Sequence, residues 1–255
     1  MWDCVKQSQL FGVIMTKSSL TYKSGLKDGI PIALGYLSVS FSFGILCKKM
    51  GIHTLGAILI SVTNLTSAGQ LAGIGIIAAL GSLSEMALTQ LVINIRYALM
   101  SLSLSQKVDS AFSGIHRLLA SFFITDEIYA VASSQKGQVN ARYMYGLGAL
   151  PFLGWLLGTA LGAVAGDILP ADIVNAFGIA LYAMFIAIVL PPATENKGVL
   201  ICAIISAAIS CLITYLPALS FISGGFSIII CALVAGIICA LLFPVDDEED
   251  EANVQ

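Results

Sequence analysis

Apolar residues run through most of the chain in long blocks separated by short polar stretches. A helix needs about 20 mostly apolar residues to cross the hydrocarbon core of a bilayer. Eight blocks are close to that length, and flanking charges, glycines and prolines such as Pro191-Pro192 predict their ends. The predicted spans are 30–47, 54–80, 84–104, 118–135, 143–165, 173–190, 198–216 and 221–243. We therefore predict an all-α polytopic membrane helix bundle with seven or eight transmembrane helices.

Both ends of the chain are polar and set the limits of this bundle. Residues 1–27 are predicted to be a polar N-terminal arm, and Asp28 followed by Pro31 has the form of a helix start. Residues 28–245 would form a single transmembrane domain. Residues 246–255 begin with six consecutive acidic side chains and are predicted to be a disordered, solvated tail.

The composition agrees with a membrane protein and excludes several other classes. Hydrophobic residues make up 58% of the 255, charged residues 11%, and the mean hydropathy is +0.93, whereas soluble domains carry about 25% charged residues. The chain has no basic patch of the kind that binds nucleic acid. Two histidines and six cysteines without a CxxC pair predict no metal site, and no feature implies a cofactor.

The distribution of lysine and arginine predicts the orientation. With eight spans and a cytoplasmic N-terminus, the inside segments hold seven of these residues and the outside loops hold four, as the positive-inside rule requires. We predict a multi-pass protein of the cell membrane with its N-terminus in the cytoplasm. A re-entrant hairpin at 54–80 would invert the sidedness of every later loop.

Gly154, Gly158 and Gly162 predict a close helix contact, and an inverted repeat relating the first and last three spans is compatible with the pattern.

A polar stretch interrupts the second span near its middle. Asn64, Thr66, Ser67, Gly69 and Gln70 fall within seven residues of an otherwise apolar segment. Unpaired polar groups are costly in hydrocarbon, so these residues must face protein, water or a ligand. A broken helix here would present a half-helix N-terminus suited to a substrate carboxylate. The alternative is an unbroken helix that bonds its hydroxyls to its own carbonyls. We predict the break, with these five residues binding substrate.

The third span carries a second polar group. Gln90, Asn94, Tyr97 and Ser101 share one helix face, and Arg96 lies roughly opposite Asn94. An arginine inside a bundle needs a carboxylate from the protein or from a ligand. We predict that Asn94 and Arg96 bind substrate. The alternative for Arg96 is a structural ion pair with the acids of the fourth span.

The fourth span places two acids at the middle of the crossing. Asp126 and Glu127 lie about midway between Arg117 and Lys136, and carboxylates at the bilayer centre are costly and usually functional. Neighbouring residues on a helix point about 100° apart, so we expect that the two acids do not serve one site. We predict that they act in proton coupling or form an ion pair.

These three motifs together resemble a known family. The segments SAGQ at 67–70, VINIRY at 92–97 and FITDE at 123–127 are similar in sequence and spacing to AzlC-type branched-chain amino acid permeases. The resemblance covers about residues 25 to 190. Family members commonly have histidine after the arginine, where this chain has Tyr97. A tyrosine does not readily carry protons near neutral pH, so a proton relay at this position is not expected.

The resemblance implies a subunit of a secondary transporter. It would export branched-chain or similar neutral apolar amino acids with proton coupling, alongside a small hydrophobic AzlD-type membrane partner, as a homo- or hetero-oligomer. A channel-like or accessory subunit without coupled transport of its own is the alternative. An enzyme would need a nucleophile, base or metal cluster, which this sequence does not offer, and without a P-loop motif there is no reason to invoke ATP.

Overall fold

The computed structural model of the protein describes residues 20–244. Within that range the chain forms ten α-helices, a 3₁₀ turn at Pro217–Leu219 and no β-strand. The helices are α1 Tyr22–Lys49, α2 Thr54–Thr63, α3 Ser67–Ala78, α4 Leu83–Ser105, α5 Gly114–Ser121, α6 Asp126–Ser133, α7 Ala141–Ala165, α8 Ala171–Glu195, α9 Lys197–Tyr215 and α10 Gly224–Leu242. Five of them (α1, α4, α7, α9 and α10) are long and apolar enough to cross a membrane. The predicted all-α membrane bundle is confirmed.

The first helix begins earlier than the sequence predicted. Thr21 caps α1 in a capping box with Ser24, so the chain enters the helix at Tyr22 and not at Asp28. Asp28 instead lies one and a half turns inside and accepts a hydrogen bond from the Tyr143 hydroxyl at 2.7 Å. The rest of the predicted polar arm, residues 1–19, and the predicted acidic tail at 246–255 lie outside the described residues.

Helices α1 and α7 run side by side in the same direction and form the centre of the bundle. A Cβ atom on Gly154 would lie 2.5 Å from the Ala33 carbonyl oxygen, and one on Gly158 or Gly162 would collide with the backbone of α1. The predicted close contact at these glycines is confirmed. We call the end of the bundle where α1 begins the Leu20 face and the end where it stops the Lys48 face.

The second predicted span is broken and folds back on itself. Helices α2 and α3 are separated by Asn64–Thr66, and both return to the Lys48 face, because Ala57 and Ile74 pack in one cluster with Cys47 near the end of α1. The tip residue Leu65 packs against Tyr36 and Trp155, which lie midway along α1 and α7. This segment is therefore a re-entrant hairpin, the alternative that the sequence had left open.

The prediction of a continuous fourth span is wrong. Helices α5 and α6 are separated at 122–125, and the segments before and after them meet in a bridge between Val108 and Val139. This second hairpin enters from the Leu20 face. The break has a local cause. The backbone of Thr125 is in the extended conformation, and its hydroxyl accepts a hydrogen bond from the Ile128 N–H, which caps a new helix. The segment thus contains a helix start in place of a mid-span pair of acids.

The two hairpins enter the bundle from opposite ends. Helix α4 runs from the Lys48 face, where Glu85 bonds to Gly225, to the Leu20 face, where Leu104 packs with Leu20. A long helix followed by a hairpin therefore occurs twice, as α1–α2–α3 and in the opposite direction as α4–α5–α6. The inverted arrangement relates these two units and not the first and last three predicted spans.

Helices α8, α9 and α10 complete the bundle beside this core. Lys49 donates to Asn175 at 2.8 Å, which places the start of α8 at the Lys48 face. The predicted end at Pro191-Pro192 is wrong, and α8 continues to Glu195. A proline lacks a donor but its carbonyl still accepts, and the Pro192 carbonyl receives the Asn196 N–H at 2.9 Å.

Candidate functional site

The tips of the two hairpins meet in a cavity of about 390 Å³ at mid-depth of the bundle. This is within the size range of small-molecule sites. The lining combines polar with apolar residues, and its charged members are Arg96, Asp126 and Glu127. The lining residues are the polar Tyr36, Ser67, Arg96, Tyr97, Thr125, Asp126 and Glu127 and the apolar Val39, Leu65, Ala68, Val92, Ile93, Phe185, Val189 and Ala232.

Gln70 holds the first hairpin closed and faces away from the cavity. Its side chain is 1% exposed. Its amide nitrogen donates to the Asn64 carbonyl at 2.6 Å and its amide oxygen accepts from the Trp155 indole at 3.1 Å. Asn64 also uses its side chain locally, accepting from the Thr66 N–H at 3.0 Å. In this structure both predicted substrate ligands therefore shape the tip.

The N-terminus of α3 is open toward the cavity. Ser67 and Ala68, its first two residues, line the cavity wall. Thr66 occupies the N-cap position but makes no capping bond, and its buried hydroxyl has no hydrogen-bond partner among the described residues. Free N–H groups and the positive end of the helix dipole make such a terminus suited to a carboxylate.

A short relay of amides runs from this terminus into α4. Gln90 donates to the Gly69 carbonyl at 2.8 Å, and its oxygen accepts from the Asn94 amide at 3.0 Å. Because a carbonyl can only accept, Gly69 sets the orientation of both amides. The relay ends at the buried Asn94 Oδ1, which has no partner in the described part of the chain.

The tip of the second hairpin carries its own negative charge. Asp126 and Glu127 occupy the first turn of α6, where the helix dipole stabilises carboxylates. The Tyr36 hydroxyl lies 2.6 Å from both a Glu127 oxygen and the Thr125 hydroxyl. Both acids line the same cavity. The structure does not separate the two acids as their 100° spacing on a helix suggested, because a first turn at a hairpin tip exposes adjacent side chains to the same space.

Arg96 of α4 pairs with the tip of the second hairpin. One guanidinium nitrogen lies 2.9 Å from Asp126 Oδ2, the other donates to the Tyr97 hydroxyl at 3.0 Å, and the guanidinium stacks over the Tyr97 ring at 4.8 Å. Of the partners left open by the sequence, the structure selects Asp126. The side chains of Arg96 and Asp126 keep 40% and 35% exposure, so a ligand in the cavity can reach them.

The cavity also contains residues that the sequence analysis missed. Tyr36 looks like an ordinary span residue, and Phe185 and Val189 lie in an apolar stretch of α8. Only Tyr36 offered a clue, as a hydroxyl within the first apolar block. The predicted residues Ser67, Arg96, Asp126 and Glu127 do line the cavity, with Gly69 and Asn94 one layer behind.

Comparisons with known proteins agree with this architecture. A model of the AzlC family, described as AzlC protein, matches residues 31–169. The chain belongs to the AzlC family. An uncharacterized membrane protein of Archaeoglobus fulgidus is 31% identical over 179 residues, covering 69% of this chain and 78% of that protein. Inner membrane protein YgaZ of Escherichia coli is 26% identical over 238 residues, covering 90% and 95%. No solved structure matches.

The family region contains the whole polar half of the cavity. Residues 31–169 include both hairpins, Tyr36 and Arg96, whereas α9 and α10 lie outside it. AzlC-family proteins are membrane transporter components and not enzymes, so this chain is a multi-pass membrane protein related to transport.

Proposed function

We propose that this chain is the large subunit of a secondary transporter that exports branched-chain and similar neutral apolar amino acids across the cell membrane with proton coupling. The central cavity carries the proposal, because it combines an open helix N-terminus, two carboxylates and an apolar wall. An α-amino acid zwitterion has the complementary groups. Its carboxylate would bind at Ser67 and Thr66, its ammonium at Asp126 or Glu127, and its branched side chain against Val92, Ile93 and Phe185.

The direction of insertion follows from the charges at the two ends of the bundle. Of the lysines and arginines outside the cavity, the Lys48 face holds Lys48 and Lys49. The Leu20 face holds the other seven of the described residues, namely Lys23, Lys27, Lys107, Arg117, Lys136, Arg142 and Lys197. Positive loops stay in the cytoplasm, which supports a cytoplasmic Leu20 face and N-terminus. With two hairpins the described residues give seven cations at one face and two at the other, a larger bias than the seven to four counted for eight spans.

Coupling and partner are parts of the same proposal. Arg96 and Asp126 form an ion pair. A zwitterion can break this pair, because its carboxylate can bind Arg96 while its ammonium binds Asp126. Such an exchange of partners could be linked to proton uptake by a carboxylate. A small hydrophobic AzlD-type subunit is the partner that the family resemblance implies.

Counterflow in proteoliposomes tests the proposal. Vesicles preloaded with unlabelled leucine should accumulate labelled leucine, valine and methionine, because a carrier exchanges substrates without net driving force. Vesicles containing this chain alone and together with an AzlD-type partner separate the contribution of each subunit. Absence of counterflow with both subunits would contradict the transporter proposal. Voltage-driven flux without counterflow would support a channel instead.

A further inference from the structure

A second buried carboxylate, Glu85, lies away from the central cavity. It is the third residue of α4, near the Lys48 face, and is 5% exposed. It lines a separate cavity of about 550 Å³ between α3, α4, α8 and α10. This outer cavity shares Ala68, Ile93 and Phe185 with the central one, so the two spaces adjoin at these three residues.

Glu85 ties the starts of two helices together without a cation. Its Oε1 accepts from the Ser223 hydroxyl and, at 3.0 Å, from the Gly225 N–H in the first turn of α10. No lysine, arginine or histidine of the described residues forms a salt bridge with it. The cations of the Lys48 face are engaged elsewhere, Lys48 with Asp167 and Lys49 with Asn175.

Other ionisable groups near Glu85 are few. Helices α3 and α10 contain no charged residue, and the other ionisable side chain lining the outer cavity among the described residues is the Tyr182 phenol of α8. Arg96 lies three turns farther along α4 and pairs with Asp126. Within residues 20–244, the groups that contact the Glu85 carboxyl group are therefore a hydroxyl and the N–H of a helix N-terminus, without a cation.

The surroundings of Glu85 are built closely around its carboxylate. A Cβ atom on Gly225 would lie 2.5 Å from Oε1 and one on Gly81 would lie 2.8 Å from Oε2. The Thr89 hydroxyl, one turn along α4, would lie 2.9 Å from the same Cβ atom added to Gly225. It is buried and has no hydrogen-bond partner in the described chain. Glu85 Oε1 and the unpaired Thr89 Oγ1 thus lie on the same side of Gly225, and Thr89 Oγ1 has the capacity to accept a hydrogen bond from a carboxyl O–H.

We propose that Glu85 is a proton-binding site whose protonation releases α10 from α4. The ionised carboxylate accepts bonds from Ser223 and Gly225. A proton taken from water in the outer cavity forms one O–H on the carboxyl, which turns to donate to Thr89 Oγ1 and weakens the bonds to α10. Loss of that proton to water restores them. In its link to coupled transport, this site rests on the proposed function.

Amide exchange in the first turn of α10 tests the site without any substrate. After correction for intrinsic rates, acidification should lower protection of the Gly225 amide about tenfold in the wild type, the worth of one hydrogen bond to a charged acceptor. Glu85→Gln still accepts through its oxygen but cannot titrate, so its protection should not vary with pH. The exposed Glu195→Gln, on another helix, is the matched control and should behave as the wild type does. Wild-type protection that is independent of pH overturns the proposal.

Transport assays separate this site from the proposed function. Glu85→Gln should keep counterflow, which needs no proton, and lose uptake driven by a pH gradient about tenfold. Gradient-driven uptake equal to the wild type in this variant would overturn the link between Glu85 and coupled transport. Absence of counterflow in the wild type would instead contradict the transporter proposal, while the exchange experiment would still decide the role of Glu85.

Discussion

The two hairpins have the same design but opposite electrostatic states at their tips. Each ends in a threonine at the N-cap of its second helix, Thr66 before α3 and Thr125 before α6. Thr125 caps its helix and bonds to Tyr36, whereas Thr66 does neither. Helix α6 carries two carboxylates in its first turn and α3 carries none. The N-terminus of α6 thus has a capping side chain and acids of its own, whereas that of α3 has neither.

This difference gives the two ends of the cavity opposite electrostatic character. A helix N-terminus carries roughly half a positive charge, so the tip of α3 attracts anions. At the tip of α6 the two acids outweigh the dipole, and Arg96 offsets only Asp126. A small zwitterion can therefore satisfy both tips, which neither a simple anion nor a simple cation can do.

Arg96→Ala should have the largest effect, because it removes the cation that balances the α6 tip. We expect transport about a hundredfold below wild type, corresponding to the loss of one or two charge-assisted hydrogen bonds. Asp126→Asn should act similarly. Counterflow of labelled leucine measures both, normalised to protein in the membrane. Arg142→Ala, an exposed arginine of the Leu20 face, is the control and should transport normally. Full activity of Arg96→Ala and Asp126→Asn together would remove this cavity as the site.

The first break was predictable because its signal is polar residues in an apolar block. The second break carried a different signal that was overlooked. Thr125 followed by Asp126 and Glu127 is an N-cap with acids in the first turn, but counting from Arg117 to Lys136 suggested a single span with acids at its centre. Both patterns fit the same residues, and only the meeting of Val108 with Val139 decides between them.

The return of each hairpin could not be predicted from local sequence. Whether α3 continues across the bundle or folds back depends on Gln70 bonding to Asn64 and Trp155 and on Leu65 packing beside Tyr36. These contacts join residues far apart in the chain. For the same reason Tyr36 and Phe185 gave no sign of lining the cavity.

Gly69→Ala should sharpen the comparison by distorting the open tip alone. A Cβ atom there would collide with Thr66 Oγ1 and lie 2.7 Å from Gln90 Oε1, so the amide relay must shift. We expect a loss of about 1–3 kcal/mol in stability, typical of overpacking, measured by thermal unfolding in detergent, together with reduced transport. Gly75→Ala, in the same helix with nothing within 4 Å of its added methyl group, should be neutral or slightly stabilising. Equal destabilisation by both variants would show that the loss of stability comes from reduced flexibility of α3 and not from distortion of the hairpin tip.

The smallest and most discriminating effect concerns the two threonines. Thr125→Val removes a cap and the bond to Tyr36 and should cost about 1–2 kcal/mol of stability. Thr66→Val replaces an unpaired buried hydroxyl with a methyl group of similar shape, so its stability should stay within about 0.5 kcal/mol of wild type. Its transport should nevertheless fall about tenfold, the worth of one hydrogen bond to a charged group such as a substrate carboxylate.

The pair of variants works as a single test, since each is the control of the other. The loss of thermal stability measures the hydrogen bonds that each hydroxyl makes within the protein. The loss of counterflow measures hydrogen bonds that form only with a bound ligand. If Thr66→Val loses as much stability as Thr125→Val, the Thr66 hydroxyl has a partner within the protein and the α3 terminus is not open. If it keeps both stability and transport, the carboxylate binds elsewhere in the cavity, and Arg96 becomes the stronger candidate for holding it.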